Sequence, residues 1–120
     1  MNRFLLDENL PPWWPGALAR LAAGLTVLRI GLPGTPPRGT LDPDVLIWCE
    51  TNNFVLLTQN RASMPAHLAD HLAAGRHVPG ILVFPAAWNI RAVAAELQLI
   101  AGAALPDDLR DRINFLPVQF

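Results

Sequence analysis

The chain contains no lysine; all nine of its basic residues are arginine. Ten acidic residues bring the net charge to −1, which excludes a general basic field of the kind that gathers nucleic acid over a whole surface. The all-arginine set has two readings: arginine suits bidentate phosphate or carboxylate contacts, and a biased genomic base composition produces the same pattern. Cysteine is nearly absent. A lone Cys49 excludes an internal disulfide and fits a reducing, cytoplasmic setting. No apolar run approaches the ~20 residues that cross a bilayer, and the opening Met-Asn-Arg-Phe-Leu-Leu-Asp-Glu is too short an apolar run for a secretory signal. Internal repeats are lacking, as are the GxGxxG and Gly-Lys-Ser/Thr patterns of phosphate loops and the Cys/His spacing of zinc sites.

What is present is apolar. Of 120 residues, 52% are hydrophobic, which suits one domain with a packed core. Residues 4–6 read as a short strand ending in Asp7-Glu8. A helix starts at Pro12 or Pro15, carries Trp14, Leu18, Leu21 and Ala22 on one face, and stops at Gly24. Residues 25–30 form a second strand, so the first thirty residues make a parallel βαβ unit. Residues 31–40 are a Pro/Gly-rich loop, either a cover for a site or partner, or a plain connector. Asp42 suits the cap of the next helix and Pro43 its first position, with Val45, Leu46, Trp48 and Cys49 inward.

Residues 54–58 are continuously apolar, as in a central parallel strand covered on both faces, and lead into Thr58-Gln59-Asn60-Arg61. A helix follows from Met64 or Pro65 to Ala74, with Leu68, Ala69 and Leu72 inward and Gly75 as its stop. Residues 80–84 are a fourth strand. Ile90, Val93, Ala94, Leu97, Ile100 and Ala101 give the clearest helical periodicity. A turn at residues 106–110 precedes a last, edge strand within residues 113–118, where Pro117 cannot donate to a ladder. This alternation predicts a three-layer α/β domain with a mainly parallel sheet of about five strands.

Polar clusters fall at element ends that such a sheet gathers at one edge: Asp7-Glu8, Asp42 with Asp44, and Thr58 with Asn60. Two or three carboxylates meeting there repel by about 3 kcal/mol per pair at ~5 Å and an effective dielectric of ~20. A divalent cation removes that repulsion, and Mg²⁺ or Mn²⁺ fits oxygen-only ligands. The same carboxylates also suit separate helix caps that never meet.

The ordered pattern F-L-L-D-E-N-L-P-P, then D-P-D-V-L-I-W-C, then F-V-L-L-T-Q-N-R resembles the PIN-like nuclease superfamily over about residues 3–84. The nearest branch looks like the small stand-alone bacterial proteins encoded as toxins beside a helix-turn-helix antitoxin, a type II toxin–antitoxin pair. The resemblance implies a metal-dependent ribonuclease whose Mg²⁺ or Mn²⁺ activates water for attack on a phosphodiester. It makes Asp7 and Asp42 metal ligands, with Glu8 and Asn60 completing the shell. Thr58 would hydrogen-bond a ligand carboxylate and Arg61 would hold substrate phosphate.

The chain departs from that pattern at one point. The family commonly reads Thr-x-Asp-Arg/Lys-Asp after the third strand, whereas this chain reads Thr58-Gln59-Asn60-Arg61-Ala62. Asn brings a carbonyl oxygen but no charge, so metal affinity should fall. The alternative function is therefore a catalytically weak or inactive module that binds RNA or protein; a purely structural subunit is a third reading. A receiver-type signalling domain is excluded, since it needs Asp where Asn60 stands and a lysine the chain lacks. His67 and His71, one turn apart, have a zinc-compatible spacing but read as a solvated face opposite Leu68 and Leu72. Trp13, Trp14, Trp88 and the Pro-rich loop offer more apolar surface than a small core absorbs, which suits a homodimer.

Overall fold

The apolar runs set the sheet. In the computed structural model, which describes residues 2–118, five short segments pair side by side: β1 (Arg3–Leu6), β2 (Thr26–Arg29), β3 (Val55–Thr58), β4 (Ile81–Val83) and β5 (Ile113–Phe115). All pairings are parallel, in the order β2-β1-β3-β4-β5. Parallel strands need crossovers, and helices provide them: α1 (Trp14–Leu21), α2 (Asp42–Asn52), α3 (Met64–Ala73), α4 (Ile90–Ala103) and the one-turn α5 (Pro106–Leu109). The predicted three-layer α/β architecture is therefore the observed one, with every strand pair parallel.

Strand alternation divides the core in two. Phe4, Leu6, Val55, Leu57 and Leu82 pack with Trp14, Leu18, Val93, Leu97 and Ile100 of α1 and α4. Leu5, Leu56, Ile81 and Val83 pack with Val45, Leu46, Cys49, Met64 and Leu68 of α2 and α3. Phe4, Leu5, Val55 and Leu57 are fully buried, as expected for strands covered on both faces.

Some expectations shift. Helix α1 begins at Trp14 with no side-chain cap, so Asp7, Glu8 and Asn9 lie too far upstream to cap it. Helix α2 is capped by Leu41, and Asp42 and Pro43 are its first two residues; the Asp42 carboxylate is thereby free to point elsewhere. Along α3, Ala69 is exposed and His71 is buried, not solvated. Strand β5 is an edge strand as expected, but it ends at Phe115, ahead of Pro117. Of the tryptophans, Trp14 is buried and stacks on Phe84 at 5.8 Å, while Trp13 is 59% exposed. Trp88 packs partly against the core, which leaves less spare apolar surface than the composition suggested.

Candidate functional site

The chain runs from β1 outward to β2, then returns to the other side of β1 as β3. At such a switch point the connections leave in opposite directions and open a crevice beyond the strands' carboxyl ends. Asp7 follows β1 and Thr58 ends β3, so both stand at this crevice.

Asp7 extends the ladder by one bond, its N–H donating to the Leu57 carbonyl at 3.2 Å. Its carboxylate has two engagements. Oδ1 accepts the Asn9 N–H at 3.1 Å and closes a tight turn, while Oδ2 accepts the Thr58 hydroxyl at 3.0 Å. Asp7 thus closes a local turn instead of capping α1, and its second oxygen bonds across to β3. Thr58, 1% exposed, also accepts the Asn60 N–H at 3.0 Å. The Asn60 amide then reaches the amino end of α2, its Nδ2 donating to Asp42 Oδ2 at 3.1 Å. Its Oδ1 accepts the Ser63 N–H at 3.2 Å and Nδ2 also reaches the Ser63 hydroxyl at 2.8 Å. Only a carbonyl oxygen can take the Ser63 N–H, so the amide orientation is determined by the backbone.

Asp7, Thr58, Asn60 and Asp42 therefore form one connected chain drawn from three separate stretches of sequence. His67 joins it: its Nε2 stands 3.5 Å from Asp42 Oδ2. His67 and His71 do not form the expected solvated face. His67 reaches the candidate site from the first turns of α3, while His71 turns inward, its Nε2 3.0 Å from the His77 carbonyl and 3.3 Å from Glu50. The two rings serve different neighbours and do not share a ligand. Helical spacing alone could have flagged His67, because α3 starts at the same sheet edge as Asp42.

Glu8 points away from the pair it was expected to complete. Both of its oxygens accept the Gly39 N–H, at 3.0 and 3.1 Å, and Arg38 Nε lies 3.9 Å away. Glu8 clasps the 31–40 loop to the turn after β1. Arg29, which the sequence reading passed over, holds that turn from below: Nε donates to the Leu10 carbonyl and an Nη to the Glu8 carbonyl, both at 2.9 Å. Arg61 is exposed and lies over the Phe115 ring at 5.6 Å, unpaired with Asp42 or Glu8. Asp44 is exposed in the first turn of α2.

Among the described residues, no three of His, Cys, Asp and Glu converge in a group able to hold a metal ion. The site offers two carboxylates with neutral partners. Asp7 and Asp42 reach each other only through Thr58 and Asn60, and they do not form a closed protein cage.

A second polar cluster lies at the opposite, amino edge of the sheet, around the connection into β4. Glu50 accepts the His77 N–H at 3.1 Å and Arg76 at 3.4 Å. Asp111 accepts the Val78 N–H at 2.8 Å and the His77 ring at 2.7 Å. The His77 N–H bond depresses the Glu50 pKa; partial burial opposes this, and Arg76 and His71 reinforce it. For Asp111, burial pushes the carboxyl up, but the Val78, His77 and Arg110 interactions outweigh it and the net shift is downward. The groove beside this cluster includes Asn53, Pro79 and Pro106, and none of the carboxyl-edge residues.

Among the described residues no helix is long and apolar enough to cross a membrane. Comparison with known proteins found no matching family model, no similar curated protein and no similar solved structure.

Proposed function

We propose that the chain is a Mg²⁺- or Mn²⁺-dependent ribonuclease with a reduced, two-carboxylate site, working in the cytoplasm as the toxin half of a toxin–antitoxin pair. One observation carries this reading. Asp7 and Asp42, from different elements, are drawn into a single hydrogen-bonded chain through Thr58 and Asn60 at the sheet's switch point.

Asp7 and Asp42 are the residues that would hold the cation. When bound, it supplies charge neutralisation and an activated water. The protein's own groups do the positioning. Thr58 orients Asp7, Asn60 orients Asp42, and Arg29 sets the turn that carries Asp7. His67, beside Asp42, is suited to donate a proton to a leaving oxygen or to hold a phosphate. Arg61 supplies a guanidinium for substrate phosphate. The antitoxin follows from the resemblance alone; exposed Trp13 is the surface best suited to such a partner or to a second copy.

A second reading draws support from the Asn60–Asp42 bond. The amide already gives Asp42 a donor where the family pattern has a third carboxylate, which favours an RNA- or protein-binding module with little or no cleavage. Mn²⁺ calorimetry on the wild type and Asp7→Asn separates the two. Micromolar binding lost in the variant, with Mn²⁺-dependent RNA cleavage lost alongside, supports the ribonuclease. No binding in either protein leaves the module.

A further inference from the structure

The row of residues that carries Asp7 and Thr58 continues across the sheet. Leu6 pairs with Leu57, so Asp7 stands level with Thr58. Thr58 pairs with Val83, and Val83 with Phe115. Alternation points all four side chains to the face covered by α2 and α3, where Val83 and Ile113 pack. That cover does not enclose the edge strand, and Phe115 remains 50% exposed. Three strand spacings separate Phe115 from Asp7, about 14 Å.

Arg61, the residue after Asn60, lays its guanidinium over the Phe115 ring at 5.6 Å. Among the described residues no carboxylate lies within ion-pair distance of it. With Val83, Phe84, Pro85 and Leu116, the two residues line a shallow notch beside the crevice. The occupant of such a notch must satisfy an exposed aromatic ring and an unpaired cation together. An apolar partner would desolvate the guanidinium without compensation, and an acidic peptide would leave the ring unused. A nucleotide in a single strand brings both a π-face and an anion. In a duplex the base faces are already stacked and out of reach.

We propose that Phe115 and Arg61 form a stacking subsite for one base of single-stranded RNA, further along the strand from the nucleotide at Asp7 and Asp42. Its choice of ligand rests on the ribonuclease reading, but the subsite acts in binding and does not depend on cleavage.

The test is binding of the full chain, in EDTA, to a short oligoadenylate carrying 2-aminopurine, followed by anisotropy and by quenching of the analogue. The wild type should bind the single strand more tightly than the matching duplex and quench its fluorescence. Phe115→Ala, and Phe115→Leu as an apolar control, should weaken binding roughly five- to hundredfold and abolish quenching. Phe115→Trp should retain both. Arg61→Gln should reduce the salt dependence by about one phosphate contact. The subsite is overturned if the wild type does not bind the single strand, if duplex binds equally well, or if Phe115→Leu binds and quenches like the wild type. Cleavage with Mn²⁺ is scored separately. Stacking without cleavage would remove the ribonuclease and keep the subsite; cleavage with binding indifferent to Phe115 would do the reverse.

Discussion

Asn60 donates from Nδ2 to Asp42 Oδ2 across 3.1 Å, while the Ser63 N–H holds its carbonyl oxygen in place. A neutral amide thus occupies the position from which a third carboxylate would repel Asp42. The local charge is lower than in a three-acid cluster, and Asp42 has a hydrogen-bond donor supplied by the protein itself.

Asn60→Asp should therefore exchange stability for metal dependence. Without divalent ions the variant should unfold more easily, by about 3 kcal/mol for two carboxylates ~5 Å apart at an effective dielectric near 20, less what solvent screening removes at this partly exposed site. Added Mn²⁺ should restore it and should raise its melting temperature more than that of the wild type. Thermal melts with and without Mn²⁺ check this; equal Mn²⁺ responses in the two proteins would contradict the proposal that Asp42 belongs to a cation site.

Thr58 is nearly inaccessible and its hydroxyl both donates to Asp7 and accepts from Asn60. Thr58→Val keeps the shape and removes both bonds. Urea denaturation should show a loss of about 1–3 kcal/mol, the cost of leaving buried polar partners unsatisfied. Thr58→Ser should recover most of it, since the hydroxyl is what matters here.

Arg29 uses two donors to hold the Glu8 and Leu10 carbonyls. Arg29→Ala should cost about 2 kcal/mol, in the range for hydrogen bonds to a charged group. Hydrogen exchange should accelerate at the Asn9 and Leu10 amides, which bond back to Asp7. Arg29→Lys should not rescue it, because an ammonium lacks the fork that reaches both carbonyls.

Glu50 and Asp111 both have carboxyl pKa values below the ordinary range. A carboxylate depressed on folding adds stability above its unfolded pKa and loses it as the pH falls through the folded value. The wild type should thus weaken progressively below about pH 5. Glu50→Gln and Asp111→Asn should each be less stable than the wild type at pH 7 and converge toward it in acid. Denaturation midpoints from pH 7 down to 3 report the difference; parallel curves would show that these contacts do not titrate with folding.

Cys49 is fully buried on the sheet-facing side of α2, and burial raises its thiol pKa to about 12. The thiolate is the reactive form, so a thiol reagent should label the native chain only as fast as it opens. Labelling should become immediate in denaturant. Rapid labelling of the folded protein at pH 7 would contradict the packing of α2 on the sheet.

The continuous apolar runs and the Pro and Gly positions determined the strands, the crossovers and the α/β architecture, because period and punctuation are local properties of a chain. They also marked Asp7, Asp42, Thr58 and Asn60 as lying at element ends. Which way each carboxylate points is not local. Helix α2 begins one residue earlier than its capping pattern suggested, freeing Asp42 for Asn60. Glu8 sits beside Asp7 in sequence, yet a backbone N–H thirty-one residues away captures both of its oxygens. His67 and His71 share one helix face in sequence, but the packing of α3 sends one ring to Asp42 and the other into the core. The pairing of Arg61 with Phe115 depends on β5 closing the far edge of the sheet. Sequence determined where polar groups enter the carboxyl edge; only tertiary structure decided which of them meet, because a hydrogen bond between distant stretches depends on how whole elements pack.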